Sequence, residues 1–196
     1  TDINPFNYAL NTSRALRAYD SNGEREYYTL NFAPFNILEE LDNNYIKLNV
    51  IDLKAQAEFN WQIFKGLKYN FTGAIRYVRS KQEHEIHENS NMANAYRAAG
   101  NSTIRENNPY LYKDPSDPSA EPIVVLSKGG FYNTAENLLL NYDIRNSVSF
   151  SKIWNEKHEF NALLGQQIKY SDRQTNSNTG YGFQYDMGGT VSMNYL

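Results

Sequence analysis

The stretch Ile51-Asp52-Leu53-Lys54-Ala55-Gln56-Ala57-Glu58-Phe59-Asn60-Trp61-Gln62-Ile63 puts an apolar residue at every odd position and a polar one at every even position. A two-residue period without a miss predicts a strand with one apolar and one polar face, because successive strand side chains point to opposite sides of the sheet. After Phe64-Lys65-Gly66 the pattern restarts. Leu67, Tyr69, Phe71, Gly73, Ile75 and Tyr77 share one face, and Lys68, Asn70, Thr72 and Arg76 the other. A short Gly-containing connection between two alternating runs predicts an antiparallel hairpin.

The length of these runs decides which kind of hairpin. Strands of soluble proteins average about 5–6 residues, whereas a membrane-crossing strand tilted by about 45° needs about 9–11. Leu67 to Tyr77 makes about ten steps and a rise of about 23 Å at that tilt, close to the apolar band of roughly 25 Å on an outer-membrane barrel. Residues 49–80 therefore read as a transmembrane β-hairpin.

Residues 135–171 repeat the design. Leu138, Leu140, Tyr142, Ile144, Val148 and Phe150 share a face, and Phe160, Ala162, Leu164, Ile168 and Tyr170 continue it after a turn at Trp154-Asn155-Glu156-Lys157. Asn146 and Gln166 interrupt that face, and Leu163 sits on the polar one. The faces predicted to meet lipid carry Leu53, Phe59, Trp61, Phe71, Ile75, Leu140, Ile144, Phe150, Leu164 and Ile168.

Two short turns thus alternate with long connections: 1–48, 81–134, and 172–196, the last entering a further strand at Thr190 to Leu196. Short periplasmic turns on one side and long extracellular loops on the other are the pattern of a transmembrane barrel. Trp61 and Trp154 lie beside the short turns and Tyr77 and Tyr170 near the opposite ends, as two aromatic girdles require. The fold class expected is all-β, antiparallel, part of a transmembrane β-barrel. The alternative is a soluble β-sandwich in which the apolar faces share a core.

Within the long connections, Asn4-Pro5 predicts a short helix over Phe6 to Leu16, Asp20-Ser21-Asn22-Gly23 a turn between extended runs, and Tyr27 to Leu30 a strand. Asn36-Ile37-Leu38-Glu39 has capping-box spacing for a short helix ended by Asp42-Asn43-Asn44. Met92 to Ala99 reads as a helix closed by Gly100.

Mean hydropathy is −0.70 over 196 residues, and no run approaches the ~18–20 apolar residues of a membrane helix. Barrel strands escape hydropathy because only alternate residues face lipid. The absence of Cys excludes disulfides, thiol catalysis and Cys-based zinc sites, and a net charge of −3 leaves no basic footprint for nucleic acid. The chain opens on Thr1-Asp2-Ile3 without an initiator Met or signal peptide, although an outer-membrane protein carries one, so either it is a piece of something longer or the membrane reading is wrong.

Several runs, in order, resemble the SusC/RagA family of TonB-linked outer-membrane transporters of Bacteroidetes. They are Asn4-Pro5-Phe6-Asn7-Tyr8-Ala9-Leu10-Asn11-Thr12-Ser13-Arg14-Ala15, Tyr19-Asp20-Ser21-Asn22-Gly23-Glu24, Phe35-Asn36-Ile37-Leu38-Glu39-Glu40-Leu41, Lys65-Gly66-Leu67-Lys68 and Glu156-Lys157-His158-Glu159-Phe160-Asn161-Ala162-Leu163-Leu164-Gly165-Gln166. The loop from Lys81 to Phe131 matches nothing in that pattern. The resemblance implies a middle segment of a barrel of about 22 strands, without the N-terminal plug. It also implies a SusD-like surface lipoprotein as partner, TonB acting through the absent N-terminal part, and an oligosaccharide or peptide as cargo. The alternatives are another TonB-dependent receptor, for siderophores or cofactors, and a soluble carbohydrate-binding β-sandwich module.

No catalytic set stands out, so a non-enzymatic role is expected, with no cofactor. His84-Glu85-Ile86-His87 lacks the i, i+4 spacing of a zinc-protease helix, and solvated loop charge explains it better than a metal. Asp114, Asp117 and Glu121 carry calcium-type oxygens without the Gly-turned spacing of a calcium loop. Tyr110, Tyr112, Phe131 and Tyr132, with Asp114 and Asp117, are the candidates for ligand or partner contact, since exposed aromatic rings stack on sugars or pack on proteins.

Overall fold

The structure, a computed structural model, describes residues 10–13, 15–29 and 33–191, the Thr190 side chain excepted. Its frame is an antiparallel meander of four long strands and a two-residue fifth: β1 (Asn44–Phe64), β2 (Leu67–Ile86), β3 (Gly130–Trp154), β4 (His158–Gln184) and β5 (Thr190–Val191). Each strand neighbours the next in sequence, so among the described residues β1 and, over nearly all its length, β4 leave an open edge.

The two hairpins fall where the alternation puts them, and their turns are as short as expected. Gly66 turns the first at φ +97°, and a Cβ there would lie 2.4 Å from the Ser151 carbonyl oxygen. The second turns on Asn155 and Glu156, both at positive φ, with Lys157 N–H donating to Trp154 O.

The strands run well past the segments 49–80 and 135–171, at 21, 20, 25 and 27 residues. Twenty such steps at a tilt of about 45° rise about 47 Å, roughly twice an apolar band of about 25 Å. Residues 172–184, expected as loop, belong to β4. Periodicity missed them because Asp172, Arg173, Gln174, Thr175, Asn176, Ser177 and Asn178 are polar at both parities, and backbone pairing does not need an apolar face.

The chain divides into two compact units. The first holds residues 1–47, 83–133 and 179–196. Its core is Ile86, Ala93, Leu126 and Phe131, with Met92 and Tyr96 against it. Among its described residues are the helices α1 (Ile37–Asn43), α2 (Asn91–Arg97) and α3 (Ser102–Asn107). The Asn36 side-chain oxygen accepts from Leu38 N and Glu39 N, and its amide donates to Ala18 O and Glu26 O at 2.8 Å, so one residue caps α1 and ties down the preceding loop. Asp20 Oδ1 accepts from Asn22 N and Glu24 N, closing the expected turn. Ser90 caps α2, close to the predicted helix, whereas α3, capped by Asn101, was not foreseen.

Of the helix predicted over Phe6 to Leu16, Leu10 and Asn11 are helical and the segment bends at Thr12; Phe6 to Ala9 lie outside the described residues. The Tyr27 to Leu30 strand reduces to one bridge, Tyr28 to Phe35, with Leu30 outside the described residues. Of the further strand expected over Thr190 to Leu196, Thr190–Val191 is a strand and residues 192–196 lie outside the described residues.

The second unit, residues 48–82 and 134–178, is sheet on its own. Every buried apolar residue in the description belongs to the first unit; among its described residues the second has none. Its apolar face lies open: Leu164 is 77% exposed, Leu53 63%, Phe59 and Trp61 53%. Ile75 and Ile168 are also exposed, and Phe71, Leu140, Ile144 and Phe150 are half-buried by their sheet neighbours. A soluble sandwich needs a second sheet over this face, and the described strands make a single sheet.

Candidate ligand-contact site

In the first unit, the ends of β2 and β4 meet the residues before β3 around a cleft of about 230 Å³, lined by Asn43, His87, Gly129, Phe183, Tyr185 and Asp186 among others. The His87 N–H donates to Asn43 O at 2.7 Å, fixing the strand end against α1. The His87 ring lies flat on Tyr185, with centroids 4.0 Å apart and planes 11° from parallel. Tyr185 opens a short 3-10 turn, Tyr185–Met187, and its hydroxyl donates to Phe131 O at 2.7 Å.

A charged network backs this stack. Tyr45 Oη donates to Glu85 Oε2 and Lys47 Nζ to Glu85 Oε1, both at 2.8 Å, and His87 Nε2 lies 3.2 Å from Tyr45 Oη and 3.6 Å from Glu85 Oε2. Alternation explains the grouping, because Tyr45 and Lys47 share a parity on β1, as do Glu85 and His87 around the end of β2. Burial pushes the Glu85 carboxyl up, but hydrogen bonds from Lys47 and Tyr45 outweigh it and hold the group below the usual carboxylate range. The Tyr45 phenol is raised, first by its bond to Glu85 and then by burial. Burial raises Tyr185 far above an ordinary phenol, so it remains a neutral donor.

The rings continue as a series. Tyr132 stacks on Phe183 at 4.8 Å and meets Tyr185 edge-on, while its hydroxyl donates to Glu83. Tyr110 stacks on Tyr96 at 4.4 Å, and Tyr96 meets Phe131 edge-on. Aromatic faces beside a histidine, a carboxylate and neutral phenols suit stacking and hydrogen bonding to a polar ligand. No group of three or more His, Cys, Asp or Glu among the described residues is placed to hold a metal ion.

The expected contact residues fare unequally. Tyr110 and Tyr112 are exposed. Phe131 is a correction: it is 2% exposed, in the core, because it follows Gly130, where the chain passes so close to β2 that a Cβ would sit 1.8 Å from Ile86 O. Tyr132 is half-buried and borders the cleft through its stack with Phe183. Asp114 and Asp117 each accept from the backbone and hydroxyl of the serine two residues on, Ser116 and Ser119, which keeps both carboxyls below their usual value and closes two local turns. His87, Tyr185 and Phe183 were missed. The alternation of Tyr181, Phe183 and Tyr185 was the available signal, and it lay in a segment read as loop.

The second unit's polar face is laced by ion pairs. Arg76 binds Asp52 through two nitrogens at 3.0 and 2.6 Å, and Asp143 accepts from Arg145 and from Gln167. Asp52 and Arg76 both occupy even positions, as the alternating pattern requires. No protein-family model and no curated protein matches the chain.

Proposed function

We propose that this chain is a segment of the wall and outer loops of a SusC-like, TonB-dependent outer-membrane importer, taking up glycans or peptides with a surface lipoprotein partner. The observation that carries the reading is the bare apolar face of the second unit. Three of the four long strands, β1, β2 and β4, present Leu53, Phe59, Trp61, Ile75, Leu164 and Ile168 outward with no core behind them among the described residues. An apolar surface of that extent on an open sheet is stable against lipid and aggregates in water.

Two further observations support it. The open edges of β1 and β4 call for additional strands, since unpaired backbone groups in hydrocarbon cost several kcal/mol each. The charged Arg79–Glu136 pair stands at the apolar parity just past Tyr77 and just before Leu138, which ends the apolar band on two adjacent strands. The aromatic cleft of the first unit then belongs to the extracellular loops, where cargo or lid is met.

The test is fractionation of cells that make the natural protein, followed by mild detergent extraction. An outer-membrane species whose gel mobility changes on boiling, co-purifying with a lipoprotein, supports the importer. A membrane barrel without that lipoprotein assigns a different TonB-dependent receptor. A water-soluble protein overturns the reading.

A further inference from the structure

On the polar face of the second unit a cavity of about 320 Å³ is lined by Lys54, Arg76, Asn141, Asp143 and Lys169 among others. The two carboxylates near it are already committed. Asp52 is held by both branches of Arg76, and both oxygens of Asp143 accept from Arg145 and from Gln167 at 3.0–3.2 Å. That leaves Lys169 4.0 Å from Asp143, the longest ion pair in the unit, and Lys54 with no carboxylate within ion-pair distance among the described residues. Four cations, Lys54, Arg76, Arg145 and Lys169, thus surround two anions on a chain whose net charge is −3.

Asn141 is a further polar residue of the lining, with its side-chain oxygen buried away from the surface. Two under-neutralised ammonium groups at one cavity together describe a receptor for an anion.

We infer that the cavity at Lys54, Arg76, Asn141 and Lys169 is a carboxylate-binding subsite for cargo, taking the acid group of a uronic-acid-bearing glycan or of a peptide C-terminus. The inference rests on the importer reading, in which this polar face lines the interior. Lys54 and Lys169 hold the carboxylate, and Arg76 adds its charge while still holding Asp52. Ammonium groups suit this task because they are rotatable point charges that adapt to differently presented acids.

The test uses the natural full-length protein, folded in detergent, and two probe pairs: trigalacturonic acid against its methyl ester, and tetra-alanine against its C-terminal amide. Titration calorimetry at about 20 mM salt, roughly a Debye length of 20–30 Å, is expected to show at least one acid binding about tenfold tighter than its neutral partner. The pair that does so identifies the source of the carboxylate. In the Lys54→Gln, Lys169→Gln double variant the acid should fall to the affinity of the neutral probe. Lys68→Gln, on the same face but outside the cavity, should change binding less than twofold.

Equal binding of acid and neutral probe in both pairs overturns the subsite, as does binding of none, or discrimination that survives the double substitution. Heat-modifiable mobility of each variant checks that the barrel has formed. A protein absent from the outer membrane refutes the importer reading itself; a folded barrel indifferent to probe charge refutes only the subsite.

Discussion

The Tyr69 hydroxyl donates to the side-chain carbonyl of Asn146 at 2.6 Å, on the parity of β2 and β3 that Phe71, Ile144 and Phe150 otherwise make apolar. The bond explains how a polar residue is tolerated there: the polar group inside the apolar run from Leu138 to Phe150 is satisfied from the adjacent strand. In the proposed barrel, Tyr69→Phe leaves the amide unpaired on the face assigned to lipid and should destabilise the fold by about 1–3 kcal/mol. Adding Asn146→Leu removes the unpaired group and should recover most of the loss. The urea midpoint of the heat-modifiable species measures both. Equal midpoints for the single and double variants would show that the pair contributes nothing.

The same alternation sets the outcome of charge insertion. In the proposed barrel, Arg at Phe59 or Phe71 places a guanidinium on the face assigned to lipid and should cost roughly 2–4 kcal/mol near the bilayer midplane. Arg at Asn60 or Thr72, one residue away on the polar parity, should be accepted. Assembly is scored as the fraction of heat-modifiable barrel in the outer membrane. Indistinguishable yields at neighbouring positions would sink the facing assignment.

Where the sequence was readable and where it was not follows from what each segment packs against. Between Ile51 and Tyr77 apolar and polar side chains fall on opposite faces of the sheet, so polarity alternates and the hairpin declares itself. From Asp172 to Asn178 both parities are polar, so nothing in the residue types marked β4 as continuing to Gln184. The cleft was harder still. His87 is three residues from His84 and invites a metal reading, yet the contact that defines it is with Tyr185, nearly a hundred positions along, brought close only by the meander. Phe131 looked like any other loop aromatic; its burial depends on the side-chain-free approach at Gly130, which no local pattern announces.

Acid should loosen the first unit through Glu85. Its carboxyl lies below the ordinary value of 4.5 because the bonds from Lys47 and Tyr45 outweigh burial. A depressed carboxylate contributes stability that is fully present above the unfolded value and is lost as pH falls through the lower folded one. Lys47→Met removes the first of the two lowering partners, so the folded value moves back toward the unfolded one and the acid-dependent loss should be smaller and complete at higher pH. Amide-exchange protection factors for residues 44–47 and 83–87, followed from roughly pH 5 to 3, read the window. Superimposable profiles would mean that Lys47 does not hold the carboxylate in solution.

The second short turn offers a stabilising change. Asn155 and Glu156 sit at φ 50° and 55°, the geometry of a two-residue turn whose twist matches antiparallel strands. Asparagine tolerates the left-handed region, but glutamate meets its own Cβ clash there, at about 1–2 kcal/mol. Glu156→Gly removes that clash and makes the favoured Asn-Gly pair, so the urea midpoint should rise by the equivalent of about 1 kcal/mol, slightly offset by the added freedom of the unfolded chain. Asn155→Gly should change it much less, because asparagine already accepts the conformation. Both residues precede β4 and sit beside Trp154, so a gain confined to Glu156 attributes the strain to one backbone position and not to the loss of a charge near the ring. Glu156→Gln, which removes the charge and keeps the Cβ, separates the two causes: it should leave the midpoint where it was.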